Sequence, residues 1–176
     1  MLITPKPPAG EEHRVAKVLD SIHALFGSVP EGMQLYSISP EVLEHRWAGM
    51  QYYIHHPRLG MSLLAFIRLL VSDRMGAPFC IGLNRTILIS KGITEEAIDV
   101  ARKNPAQAPL SKAEVGLLQL VLKAVTEPLA VTAQDFDVVR QLGWQEGDIL
   151  DGILHGANNV AADIVFNTYK VGIESC

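Results

Sequence analysis

The stretch Met61-Ser62-Leu63-Leu64-Ala65-Phe66-Ile67-Arg68-Leu69-Leu70-Val71, followed by Gly76-Ala77-Pro78-Phe79-Cys80, decides the fold class. A segment that is apolar almost all round is a buried helix. This one is too short to cross a bilayer and is interrupted by Arg68. Gly76-Ala77-Pro78 breaks it. A further helix is expected from about Phe79 to Ser90, with Gly92 as its C-terminal stop. Two consecutive helices, the first central, place Cys80 at a helix start beside the core.

Working outward, helical spacing continues in both directions. Upstream, Val15, Val18, Leu19, Ile22, Leu25 and Phe26 recur on one face. Ser39-Pro40-Glu41 combines a capping side chain, a proline at the first helical position and an acid near the positive end of the dipole. Val42, Leu43, Trp47, Met50 and Ile54 then form the face of that helix, which Pro57 and Gly60 end. Downstream, Thr94-Glu95-Glu96 opens a short helix. Ser111-Lys112-Ala113-Glu114 is a capping box opening a helix through Val125. Thr132 starts another short helix, ended by Gly143, and a long last helix runs from about Gln145 to Val171. Its apolar face is read as Ile149, Leu150, Ile153, Leu154, Ala157, Val160, Ala161, Ile164 and Val165. The Gly-apolar-polar-Glu junctions at Gly92 and Gly143 are one helix–helix connection used twice. No convincing strand pair is present. The fold class is all-α, with residues 1–10 as an extended Pro- and Gly-containing arm and 11–176 as one helical domain.

Length and composition agree with this. A chain of 176 residues buries a sizeable core without staples. Hydrophobic residues make up 48% and mean hydropathy is +0.19, so part of the apolar surface is expected to be covered by further subunits. The net charge of −4, with Lys and Arg scattered, leaves no nucleic-acid footprint. The N-terminus lacks the basic start and apolar run of a signal peptide, so a cytoplasmic location and no membrane partner are expected. Cys80 and Cys176 are too few for a disulfide scaffold.

Cys80 is the chief chemical candidate. A thiol at a helix N-terminus lies near the dipole's positive end and near unpaired amide N–H groups, which favour the reactive thiolate. The competing reading is a small buried hydrophobe, which is what free cysteines usually are. His155, with Asn158 and Asn159 in His155-Gly156-Ala157-Asn158-Asn159, reads either as a polar patch facing the Cys80 pocket that supplies a proton carrier or a ligand contact, or as helix–helix hydrogen bonding or a subunit contact. Cys176 reads as a thiol able to resolve an oxidised Cys80, or as an incidental terminal residue. His45, His55 and His56 do not make a metal face, because neighbours on a helix diverge by roughly 100°. No cofactor and no metal are expected.

The Ser-Pro-Glu-Val-Leu start, the Leu63–Arg68–Leu70 helix and Cys80 opening the next helix form one pattern with four segments downstream. These are Gly92-Ile93-Thr94-Glu95-Glu96, Leu110-Ser111, Val131-Thr132 and Gly143 through Ile149. Together, from about Pro30 to Val171, this resembles the alkylhydroperoxidase D-like proteins of the carboxymuconolactone decarboxylase superfamily, the group called peroxidase-related. The resemblance implies a helical bundle assembled as a trimer, hexamer or dimer. It also implies antioxidant oxidoreductase chemistry, with Cys80 as the thiol oxidised by a small hydroperoxide and an external thiol as reductant. The family's motif is a glutamate, Cys-x-x-Cys, and a histidine four residues on. This chain carries Ala77 for the first cysteine, Asn84 for the histidine and no acid near Ala65. Without a neighbouring cysteine, a sulfenic acid on Cys80 has nothing close to condense with. Two rivals therefore stand beside a one-cysteine peroxidase. One is a catalytically degenerate oligomer that binds small molecules or acts as a scaffold. The other is a carboxymuconolactone decarboxylase-type lyase, which needs basic and histidine groups.

Overall fold

The computed structural model describes residues 1–172, and every regular element among them is helical. Nine α-helices occur in order among the described residues: α1 Glu12–Phe26, α2 Glu31–Leu35, α3 Pro40–Ile54, α4 Met61–Met75, α5 Pro78–Ser90, α6 Glu95–Lys103, α7 Lys112–Thr126, α8 Ala133–Gln141 and α9 Glu146–Tyr169. Single 3-10 turns lie at Tyr36–Ile38, Pro105–Gln107 and Pro128–Ala130. No described helix is long and apolar enough to cross a membrane. Two compact units are present: Met1–His56 with Phe166–Cys176, and Pro57–Val165.

In the first unit, residues 1–10 form no regular element, and Leu2 N–H donates to the Tyr169 carbonyl at 2.8 Å. Helix α1 packs on α3, with Phe26 set edge-on against Trp47. Arg14 ties the same helices together through both oxygens of Glu44 (2.7 and 2.6 Å) and through Glu41. The Phe166 ring lies against Tyr36 and presses on Gly32, where any Cβ would stand 2.5 Å from the ring. Ser39 precedes α3 with Pro40 at its first turn, but the Ser39 side chain makes no capping bond. On α3, Leu43 and Trp47 are buried while Val42 is exposed.

The second unit is built around α4, which packs chiefly on α5 and α7. Its residues from Leu63 to Ser72 are buried, with the one exception of Arg68, which keeps partial access. The connections are as repetitive as the sequence implies. At the end of α5, Gly92 N–H bonds the Ile89 carbonyl and Ile93 N–H the Leu88 carbonyl. At the end of α8, Gly143 bonds Arg140 and Trp144 bonds Val139 in the same pattern. Both glycines sit at positive φ (81° and 95°), the left-handed stop that a side chain would strain. Thr94 caps α6, and the Ser111–Glu114 capping box opens α7.

Helix α9 corrects the expected apolar face. Leu150, Leu154, Ala157, Ala161 and Ile164 are exposed. The buried stripe in this unit is Asp148, Ile149, Gly152, His155, Gly156, Asn159 and Asp163. The two stripes share one helical period and differ only by a rotation of about 100°, which periodicity cannot assign. Packing assigns it. A Cβ on Gly156 would stand 2.7 Å from Val121 Cγ1, and one on Gly152 3.3 Å from Val121 Cγ2, so the glycines turn toward α7. The polar residues then turn toward α4, which offers them Arg68 and Ser72.

Candidate active site

Cys80 occupies the first turn of α5, three residues after Ala77, which precedes the helix without any side-chain cap. It is only 4% exposed. Around it, α4, α5 and α9 deliver two linked polar sets.

The first set centres on Arg68. Its Nε donates to Asn84 Oδ1 at 2.7 Å and its Nη1 to His155 Nε2 at 3.0 Å. Asn84 Nδ2 donates to the Cys80 carbonyl at 2.8 Å rather than to the sulfur, closing one turn of α5. A guanidinium only donates, so His155 Nε2 accepts and its proton is on Nδ1, which faces the Leu64 carbonyl. Burial, then the charge of Arg68, drives the His155 pKa down to about 3. His155 is therefore a neutral crosspiece between α4 and α9, the hydrogen-bonding alternative of the two readings, and not a proton carrier near neutral pH.

The second set centres on Asp163, which is fully buried. Ser72 Oγ donates to its carboxylate at 2.9 Å, and Asn159 Nδ2 donates both to Ser72 Oγ (2.8 Å) and to Asp163 Oδ2 (2.9 Å). The Cys80 thiol lies beside this carboxylate and beside the Ser72 hydroxyl. Burial raises the Asp163 pKa, with Cys80 and Ser72 opposing the rise. Burial raises the Cys80 pKa well above the usual thiol range, and the Asp163 carboxylate adds to the rise. Ser72 and the positive charge of Arg68 oppose it. Desolvation thus outweighs the helix-terminus effect expected from sequence, and the resting thiol is protonated.

Of the expected site residues, Cys80, Asn84 and His155 converge in one cluster. Cys176 lies outside the described residues. Asn159 joins that cluster, as the polar-patch reading of His155, Asn158 and Asn159 has it, while Asn158 is exposed. Arg68, Ser72 and Asp163 join the cluster without having been expected there. Two of them carried a signal: a charge in an apolar helix, and Asp163 four residues beyond Asn159 on α9. Tyr52 and Tyr53, adjacent near the end of α3, meet edge-on in the first unit, whereas this cluster belongs to the second.

A central apolar helix, a cysteine opening the next and a long last helix carrying the polar face define the alkylhydroperoxidase D-like fold. The solved structures bear this out. An uncharacterized peroxidase-related protein from Silicibacter sp. TM1040 superposes with a TM-score of 0.84 at 16% identity, over 97% of this chain and 90% of its own. The alkylhydroperoxidase AhpD core of an uncharacterized peroxidase-related protein from Ralstonia eutropha JMP134 gives 0.81 at 17% identity, over 99% and 90%. The debrominase Bmp8, a cysteine-to-alanine variant in complex with 2,3,4-tribromopyrrole, gives 0.70 at 16% identity, over 100% and 91%. No family model matches the sequence, and no curated protein matches it. The likeness is one of fold.

Proposed function

We propose that this chain is a one-cysteine thiol peroxidase of the alkylhydroperoxidase D-like kind, in which Asp163 does the work of the missing proton relay. The observation that carries this reading is a buried carboxylate, Asp163, held by Ser72 and Asn159 in the neighbourhood of the Cys80 thiol. The acid absent near Ala65 is replaced from another helix. In the first step Asp163 accepts the thiol proton as sulfur attacks the outer oxygen of a small hydroperoxide. The O–O bond breaks, the alkoxide leaves with a proton returned by Asp163, and Cys80 becomes a sulfenic acid. One external thiol then condenses with it, releasing water. A second external thiol displaces the mixed disulfide, restoring Cys80 and yielding the external disulfide. Arg68 favours the transient thiolate by charge. Self-association belongs to the same reading. It is supported by the exposed Leu150, Leu154 and Ile164 of α9.

The test is trapping of the sulfenic acid with a carbon nucleophile after dilute peroxide, read by mass spectrometry. Wild type should give one adduct, at Cys80, and Cys80→Ser none. Asp163→Asn should slow its formation by about 100-fold or more, the usual reach of a positioned base. A wild-type Cys80 that stays a free thiol under conditions that oxidise an unfolded control would end the proposal.

A second reading has its own support. The 4% exposure of Cys80 and its raised pKa suit an inert buried thiol in a non-catalytic scaffold or small-molecule binder. That reading expects Cys80→Ser to alter stability alone. The lyase reading loses its proton carrier, since both nitrogens of His155 are engaged.

A further inference from the structure

The arginines of this chain are not treated alike. Arg14, Arg58, Arg85, Arg102 and Arg140 each lie within 4 Å of at least one carboxylate. Arg68, set among the buried apolar residues of α4, has none among the described residues. Arg46, which lies over the Tyr36 ring, and the exposed Arg74 also have none, and what sets Arg68 apart is its place in the Cys80 cluster. Its partners are Asn84, His155 and, weakly at 4.0 Å, the sulfur of Met61. The nearby Asp163 is satisfied by Ser72 and Asn159 and makes no ion pair with it. Burial pulls the Arg68 pKa down to about 10, the mark of a cation short of both water and a counter-charge.

The geometry is that of a prepared donor edge. Asn84 holds Nε, and it is itself fixed to the Cys80 carbonyl. His155 holds Nη1, and it is fixed to Leu64. A guanidinium has five N–H groups, and these two strong bonds use two of them. The remaining edge, chiefly Nη2, faces only a thioether, at the residue that opens α4. Arg68 and Met61 both keep partial solvent access, so the side chain is not sealed off. A planar fork with a free edge and no neutralising acid suits a carboxylate.

We propose that Arg68 is the anion-binding group of a subsite beside Cys80, and that the site takes a small ligand bearing a carboxylate. This deepens the peroxidase reading by naming the substrate class, an organic hydroperoxide that carries a carboxylate. It rests on that reading for the chemistry, though not for the binding.

The experiment uses acetate as probe, with its neutral isostere acetamide and with chloride at equal ionic strength as controls. At saturation, acetate should raise the wild-type melting temperature by about 2–4 °C over both controls. Acetate, and not acetamide, should also slow modification of Arg68 by phenylglyoxal, read by peptide mass spectrometry, a measurement that needs no variant. Arg68→Met should lose the acetate-dependent rise whatever its own melting temperature. Cys80→Ser should keep it, which separates this proposal from the peroxidase one. An acetate effect equal to that of chloride, or one retained in Arg68→Met, overturns the subsite. An effect lost in Cys80→Ser also overturns it, by making the thiol and not the guanidinium the group to which acetate responds.

Discussion

Helices α4 and α9 both furnish the cluster around Cys80, yet they are built in opposite senses. Helix α4 is apolar on every side and buried, and it brings in two polar groups, Arg68 and Ser72. Helix α9 keeps its polar and glycine residues inside and turns Leu150, Leu154 and Ile164 outward. The contrast teaches that hydrophobicity decides burial where it surrounds a helix. Where it covers only one side, the rotation is set by what the neighbouring helices can accept. Here they accept glycines against Val121 and polar groups against Arg68 and Ser72.

The sharpest way to break this contrast is truncation on each helix. Phe66→Ala on α4 should cost about 3–5 kcal/mol in denaturant unfolding, because the ring is fully buried. Leu154→Ala on α9, at 48% exposure, should stay within about 0.5 kcal/mol in the monomer. Equal losses would show that α9 is rotated otherwise than described.

Titration sharpens the point, because two buried groups of α9 pull stability in opposite directions. Folded His155, with its pKa near 3, stays neutral where the unfolded residue protonates from about 6.5. It contributes stability that is full above pH 6.5 and is lost as pH falls toward 3. Asp163 is raised, so the folded state takes up its proton first. Stability from that group grows as pH falls through its folded pKa toward 3.8, and the benefit is absent at higher pH. His155→Gln should flatten the acid loss between pH 6.5 and 3, and Asp163→Asn should steepen it. Urea unfolding across that range reads both slopes, and an unchanged slope in His155→Gln would place that imidazole in water.

Smaller effects should separate the glycines. Gly156→Ala brings a methyl to 2.7 Å from Val121 and should destabilise by about 1–3 kcal/mol. Gly147→Ala, with nothing within 4 Å, should stabilise by about 0.5–1 kcal/mol through helix propensity. Thermal melts of the two variants should move in opposite directions.

The fold was legible because its signals are local. Ser111 and Glu114 form the reciprocal cap that their spacing implies, and Gly92 and Gly143 end their helices by the same pair of bonds. The Cys80 position was legible for the same reason, since Gly76 and Pro78 mark the break before it. Asp163 and Ser72 lie 91 residues apart in the chain. Only the rotation of α9 brings them together, and that rotation depends on Gly152 and Gly156 meeting α7. The thiol's high pKa was illegible too, because a helix terminus is written in sequence and the depth of a side chain is not.

The outward side of α9 has a consequence for any survey of variants. Residues 150, 154, 157, 161 and 164 alternate by four and three, the step of a seam between two supercoiled strands. If the proposed self-association runs through this side, replacing them with lysine changes light scattering and elution volume, whereas the monomer, in which these side chains are already exposed, keeps its melting curve nearly unmoved. A screen scored by heat alone would then pass over these five positions as neutral, and one scored by particle size would find them.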